Sequence, residues 1–231
     1  DYVTLEAGTG AVHTAPGHGA DDYKTGVRYG LEIYAPLDAG GHYNENVELF
    51  AGLKVWDANP KVEAALQERG RLWHRQDFEH SYPHCWRCHN PVIFMATSQW
   101  FISMEAKDLR QRALDAIRQT KWIPSWGQAR IEGMIANRPD WCISRQRVWG
   151  VPIPAMDCVK CGTPVLTKAL VDKAASVFDT YGADAWYERP IKEFIPAGMA
   201  CSECGGTEFE REGNILDVWF DSGSKIGRAH V

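Results

Sequence analysis

The sequence has no apolar run approaching the ~20 residues that a membrane helix needs, so a helical span is not expected. Its first residues, Asp1-Tyr2-Val3-Thr4, lack the basic start and apolar core of a secretory signal. A cytoplasmic protein without a membrane partner is therefore expected. The chain does not begin with Met and its first pattern already reads as the middle of a strand, so a piece of a longer protein is expected too. Low-complexity runs are absent, and nothing repeats except short cysteine pairs. Positive charge is not in excess: 25 Lys and Arg stand against 30 Asp and Glu, a net charge of -5. Any polyanion must therefore be met by a local patch rather than by the overall field. One stretch qualifies, from Glu105 to Arg147, where nine Lys or Arg face five acids. A solvated mixed surface explains such a stretch equally well.

What is present is an ordinary globular balance, 45% hydrophobic and 24% charged, long enough at 231 residues for one large domain or two smaller ones. The seven cysteines carry more information. Six of them form three Cys-x-x-Cys pairs, Cys85/Cys88, Cys158/Cys161 and Cys201/Cys204. In a reducing compartment paired thiolates with two residues between them point to metal, and four thiolates suit one tetrahedral Zn²⁺. The last two pairs each run into glycine, Gly162 and Gly205-Gly206, which fits knuckle turns, so they are expected to close the 158–204 insertion around a single ion. A thioredoxin-like redox pair would need a strand-to-helix setting that is missing here. Cys85/Cys88 is left over and needs two more ligands. Its neighbours His84 and His89 point away from a knuckle, so the remaining ligands are expected upstream. Cys142, inside an apolar run, reads as a small core residue.

Period and punctuation predict an α/β chain. A strand over 3–14 feeds an irregular Ala15-Pro16-Gly17-His18-Gly19 loop, and Asp21 or Asp22 caps a short helix that stops near Gly30. Residues 35–55 are turn-rich with short strands. Asn59-Pro60 opens a helix that Gly70 stops. Strands over 72–78 and 92–102 flank the first cysteine pair. Helices follow over 105–120, with Leu109, Ala113 and Ile117 on one face, and over 127–137, ending before Pro139. Residues 141–144 form a short buried strand, 168–181 a helix stopped by Gly182, and 215–220 a last apolar strand.

Four segments are more specific. The first is Gly8-Thr9-Gly10-Ala11-Val12-His13-Thr14-Ala15-Pro16-Gly17-His18-Gly19-Ala20-Asp21-Asp22-Tyr23, where an imidazole and a carboxylate are joined by a glycine-proline loop that lets backbone amides approach a ligand. The others are Ser81-Tyr82-Pro83-His84-Cys85-Trp86-Arg87-Cys88, Asp140 to Pro152, and Leu216-Asp217-Val218-Trp219-Phe220-Asp221-Ser222-Gly223-Ser224. Together and in this order they resemble the isoleucyl branch of the class I aminoacyl-tRNA synthetases. Valyl and leucyl relatives carry Pro-Ala-His-Asp in the first loop, where this chain has Ala15-Pro16-Gly17-His18-Gly19.

The resemblance implies the C-terminal part of a β-rich editing domain over 1–75, then a zinc knuckle and returning strands over 76–104. It implies the second half of a Rossmann-like catalytic domain over 105–157, with a zinc-binding insertion over 158–210 and a catalytic strand over 211–224. By the same resemblance Asp22 holds the α-ammonium of a mischarged aminoacyl ester, and His13 contacts the terminal adenosine or lines the small pocket. Thr14, Gly17 and His18 border that site. Trp219, with Asp217, meets the activated amino acid, and Arg145 and Arg147 are candidates for tRNA phosphate contact. Zn²⁺ is implied for Cys85, Cys88 and the other four paired cysteines. ATP and Mg²⁺, isoleucine and tRNA(Ile) are implied for a full-length, monomeric ligase that also hydrolyses valyl-tRNA(Ile). The family's two ATP-handling signatures, His-x-Gly-His and Lys-Met-Ser-Lys-Ser, do not occur, so adenylate formation by these residues alone is not expected. A valyl-tRNA synthetase and a non-catalytic zinc-ribbon module for nucleic acid are the competing readings. The second of these leaves residues 1–23 and 217–223 unexplained. The last seven residues, 225–231, depart from the family pattern and back-translate as AAG ATC GGA AGA GCA CAC GTC, a common sequencing-adapter sequence, so an artefactual tail is expected there.

Overall fold

The computed structural model describes residues 3–6 and 9–225; Gly8 of the first motif and residues 226–231 of the tail lie outside the described residues. The chain divides into two compact units, Asp1–Ser98 and Gln99–Val231.

The first unit is built around two helices. Helix α1, Ala20–Tyr29, ends where Gly30 adopts φ 64 and its N–H reaches back to the Gly26 and Val27 carbonyls. Its start differs from expectation. Gly19 is the N-cap and has no side chain to cap with, and Asp22 instead accepts from the Ala15 amide at 2.9 Å. Gly17 is buried, and a Cβ there would stand 2.1 Å from the Tyr34 carbonyl oxygen, so the loop passes this close only as glycine.

Helix α2, Val55–Glu68, begins before the expected Asn59-Pro60 start. Its entry is fixed by the Val55 amide donating to Gly41 and by a Lys54 to His42 bridge, which leaves Pro60 inside the helix. A tertiary contact at Gly41 thus overrides the helix-start signal carried by the proline. The expected strands over 3–14, 72–78 and 92–100 do not form among the described residues. Strands need partners along their length, and these segments make single contacts instead, such as Ala96 N–H to Gly17 O at 2.8 Å and Val92 N–H to Pro83 O at 3.1 Å. Bridges at Leu37/Tyr43, His42/Lys54 and His84/Pro91 are all that remains of the β-rich reading in this unit's described residues.

The second unit opens with β1, Phe101–Ile102, paired antiparallel with β2, Trp141–Cys142. Between them a 3₁₀ turn, Ala106–Asp108, leads into α3, Leu109–Gln119, and then α4, Trp126–Ala136. Leu114 and Ile117 are the buried residues of α3. The two helices are clamped by Arg118 on Glu132 at 2.7 Å and by Arg110, which donates to the last α4 carbonyls at Ile135 and Ala136. A cation at a helix C-terminus satisfies carbonyls that have no intrahelical donor. Two of the arginines in the basic stretch are therefore structural.

Residues 141–144 form two short strands rather than one. β3, Ser144–Arg145, pairs antiparallel with β7, Ile215–Leu216, in the register Ser144/Leu216 and Arg145/Ile215. Between these lies the insertion. Its three-stranded sheet runs in the order β5, β4, β6, from Pro164–Val165, Met156–Cys158 and Phe209–Arg211. Helix α5, Lys168–Tyr181, covers it, followed by the short α6, Ala185–Glu188. Leu170, Ala174, Trp186, Phe194 and Met156 make the core, with the Trp186 and Phe194 rings edge to face at 4.9 Å. The last element, α7, Val218–Lys225, corrects the expectation of a strand over 215–220. Asp217 accepts from the Trp219 amide through its side chain and from the Phe220 amide through its carbonyl, so a helix starts where an apolar run suggested more strand.

Candidate functional site

Each cysteine pair folds into the same knuckle. Cys158 N–H donates to Thr163 O at 3.0 Å and receives Gly162 N–H on its carbonyl at 2.7 Å; Cys201 does so with Gly206 and Gly205 at 2.8 and 2.9 Å. Cys85 repeats the pattern with Asn90 and His89, both at 2.8 Å. The closing residue is left-handed in all three, at φ 69 for Gly162, 69 for Gly205 and 55 for His89. Glycine takes that conformation without steric cost, whereas His89 holds it against its own Cβ.

β4 delivers Cys158 to the same point that the turn before β6 delivers Cys201 and Cys204, and the four sulfurs of Cys158, Cys161, Cys201 and Cys204 lie within 4.8 Å of one another. The closest cross-pairs are Cys158 to Cys204 at 3.5 Å and Cys161 to Cys201 at 3.6 Å. Sulfurs ~2.3 Å from a tetrahedral ion sit roughly 3.8 Å apart, so the spacing is that of a four-thiolate metal site. Gly206 completes the cradle. Its amide donates to Cys204 Sγ at 3.4 Å, and a Cβ there would press within 3.1 and 3.2 Å of the Cys158 and Cys204 sulfurs.

Crowding separates the thiols. Hydrogen bonds from the Thr163 hydroxyl and amide, then from the neighbouring thiols, hold Cys161 down at about 6. Cys204 is pushed up to about 12: the Gly206 amide pulls it down, but Cys161, burial, Cys158 and Cys201 together outweigh that pull. The cluster that the cysteine spacing predicts is formed, and its four sulfurs could hold a metal ion. Among the described residues it is the one cluster of three or more such ligands, and Cys85 with Cys88 stands outside it.

The second feature is the corner at the end of β7. Asp217 is 4% exposed, and its carboxylate pairs with the Arg145 guanidinium through one oxygen while accepting from the Trp219 amide at 2.8 Å through the other. Arg145 also donates to the Cys142 and Ser144 carbonyls at 3.0 and 2.7 Å. Two concavities meet here. One of about 420 Å³ is lined by Arg145, Arg147, Trp149, Gly150, Asp217 and Asp221 among others, and one of about 430 Å³ by Arg138, Asp140, Trp141, Arg145, Asp217 and Trp219 among others. Trp149 was not among the residues singled out in the sequence. It is 94% exposed and the Gly150 beside it packs on Ile215, a placement that only the β7 contact reveals.

In the first unit Asp22 is half-buried and bound to the Ala15 amide, His13 is exposed, Thr14 is half-buried, and His18 Nδ1 lies 3.0 Å from the Phe94 carbonyl. A cavity of about 670 Å³ in this unit lies elsewhere, lined by 37–41, Lys54, Trp56, Asp57, 90–93 and Met95, so neither His13 nor Asp22 lines it. The structure brings Asp22 to the loop and does not join it to His13 by a contact.

Comparison with known proteins matches residues 22–229 to the family of class I tRNA synthetases (I, L, M and V). Curated relatives align over nearly the whole chain. The isoleucine–tRNA ligase of Syntrophotalea carbinolica is 56% identical over 223 residues, covering 96% of this chain and 24% of the relative. That of Nitratidesulfovibrio vulgaris is 57% identical over 229 residues, 98% of this chain and 24% of the relative. That of Petrotoga mobilis is 49% identical over 226 residues, 98% of this chain and 25% of the relative. The chain thus spans about a quarter of the length of the relatives it matches.

Proposed function

The chain belongs to the class I tRNA synthetases of the isoleucine, leucine, methionine and valine group, and from that premise we propose that it is a segment of an isoleucine–tRNA ligase. The observation that carries this reading is identity above one half, over nearly every residue, to ligases of that one amino acid. The whole enzyme joins isoleucine to ATP with Mg²⁺, releasing pyrophosphate, and esterifies the activated isoleucine to tRNA(Ile).

In the synthetic site the residues of this chain orient rather than react. Asp217 fixes the first turn of α7 through the Trp219 amide and is itself fixed by Arg145, so the 74% exposed Trp219 indole is presented at the edge of the concavity to pack on the activated amino acid. Arg145 spends its guanidinium on that task, which leaves the exposed Arg147 as the better contact for a tRNA phosphate.

Valine lacks one methylene, worth only about 1–3 kcal/mol in a hydrophobic pocket, and isoleucine against valine is itself the standard illustration of that limit. A second, hydrolytic site answers it. We assign its ammonium anchor to Asp22, held in place by the Ala15 amide, and its rim to His13, Thr14, Gly17 and His18. Cys158, Cys161, Cys201 and Cys204 hold a structural Zn²⁺ whose contribution is to cross-link the insertion. Cys85 and Cys88 form half of a second site, completed by ligands outside these residues. A cytoplasmic monomer fits this reading, and no helix of the described residues is long and apolar enough to cross a membrane.

The test is made on the full-length product of the gene. It should support isoleucine-dependent ATP–pyrophosphate exchange and charge tRNA(Ile), and Trp219→Ala should lower kcat/KM for isoleucine by about tenfold or more, about 1.4 kcal/mol. Asp22→Ala should leave exchange intact and let valyl-tRNA(Ile) accumulate. Preferential activation of valine would overturn the isoleucine assignment, and deacylation unchanged in Asp22→Ala would overturn the editing assignment.

A further inference from the structure

Between the metal centre and the Asp217 corner stands one residue that the motifs did not touch. The β4/β6 ladder runs in the register Cys158/Phe209, Asp157/Glu210 and Met156/Arg211, and Glu212 extends it by one rung, its amide donating to the Ala155 carbonyl at 3.0 Å. A metal ligand at one end of this ladder is therefore in rigid antiparallel register with Glu212 at the other. The fully buried Trp186 ties in as well, its indole donating to the Glu212 carbonyl at 3.3 Å.

The Glu212 carboxylate faces the other way. One oxygen accepts the Trp100 indole at 2.6 Å and the other the Asn214 amide at 2.8 Å. From Trp100 a continuous path of backbone hydrogen bonds leads on: Ile143 N–H to Trp100 O, then Asp217 N–H to Ile143 O, each 2.8 Å. Asp217 then holds the Trp219 amide. On the other branch, Asn214 precedes the β7 strand that pairs with Arg145.

We propose that Glu212 is a positioning residue that couples the metal-loaded cysteine module to the Asp217–Trp219 corner, so that metal binding at Cys158, Cys161, Cys201 and Cys204 orders the corner through the Trp100 indole. The coupling rests on the metal reading of the four cysteines and is independent of which amino acid the enzyme activates. Its physical basis is contiguity. A charged acceptor fixes two donors from separate segments, and each of those segments is hydrogen-bonded to the strand ends that carry Arg145 and Asp217.

Peptide-resolved amide hydrogen exchange on the 231-residue chain, metal-free and with one equivalent of Zn²⁺, tests it. In the unaltered chain zinc should slow exchange within 156–211 and also at 141–145 and 215–220, the latter by about three- to thirtyfold, the span expected for coupling through a contiguous network. In Glu212→Ala zinc should still protect 156–211 but leave the corner unchanged, and Trp100→Phe, which removes the indole N–H along with part of the ring, should do the same. Glu212→Gln, which keeps an acceptor for that indole, should restore part of the effect. Zinc protection that reaches the corner equally in Glu212→Ala and Trp100→Phe, or that never reaches it in the unaltered chain, would overturn the coupling. Failure to bind zinc at all would instead overturn the metal reading beneath it.

Discussion

At the scale of residues, the four clustered cysteines are chemically unequal although they are identical in sequence. Cys161 is exposed and, held at about 6, is mostly thiolate at neutral pH; Cys204, at about 12, remains a thiol. Cys158 and Cys201 are buried. Only the thiolate attacks an alkylating agent, and only an accessible one does so quickly. The metal-free chain treated with iodoacetamide at pH 7 should therefore be modified at Cys161 before the other three, with Cys204 slow, and lowering the pH through about 6 should remove the preference. Zinc should protect all four. Peptide mass mapping over time reads the order; equal rates at Cys161 and Cys204 would count against the Thr163 hydrogen bonds as the cause. The spacing of these residues disclosed that they act together, but the inequality was not legible, because Thr163 and Gly206 act through knuckle geometry that the letters do not spell out.

At the scale of elements, helix α5 shows where sequence and structure agree and why. Thr167 accepts the Leu170 amide at 3.2 Å, the helix runs to Tyr181, and Gly182 closes it at φ 81. Local signals sufficed because every one of them is satisfied within a few residues. Thr167→Ala should cost about 1 kcal/mol, the usual worth of such a cap, seen as a lower urea midpoint with unchanged slope in the zinc-loaded chain. No shift would mean that packing of Leu170 and Ala174 alone sets the helix start. Elements whose ends depend on distant partners were misread. Helix α2 starts at Val55 because Lys54 and Val55 are bound to the 41–42 turn, and the 215–220 run breaks into strand and helix because Asp217 is claimed by Arg145, 72 positions away. Extended segments such as 72–78 had the composition of strands and lacked the one thing composition cannot supply, a neighbour. Asp22 misled for a related reason: it has the chemistry of a cap, but the Ala15 amide takes it.

At the scale of the whole molecule, the order of the motifs was legible because each has chemistry that few sequences repeat, and the division at Ser98/Gln99 was not, because no linker of biased composition marks it. Several large apolar side chains stand open, Trp73 at 99%, Val148 at 97% and Trp149 at 94%, in a chain that spans a quarter of its relatives. The insertion is the opposite case. Its core closes on itself around Trp186 and Phe194, but modules this small seldom hold together on a core alone and are commonly stapled by a metal. The knuckles set the expected metal stoichiometry. Three half-sites with the same backbone pattern are present, two meet, and Cys85/Cys88 belongs to no cluster of three or more such ligands among the described residues. Elemental analysis of the purified chain should find one tightly held zinc, Cys201→Ser should reduce it to nearly none, and Cys85→Ser should leave it unchanged. A chain extended toward its N-terminus should gain a second ion that Cys85→Ser does remove. If Cys85→Ser instead emptied the first site, the first knuckle would be supplying ligands to it, and the pairing of Cys158/Cys161 with Cys201/Cys204 would have to be abandoned.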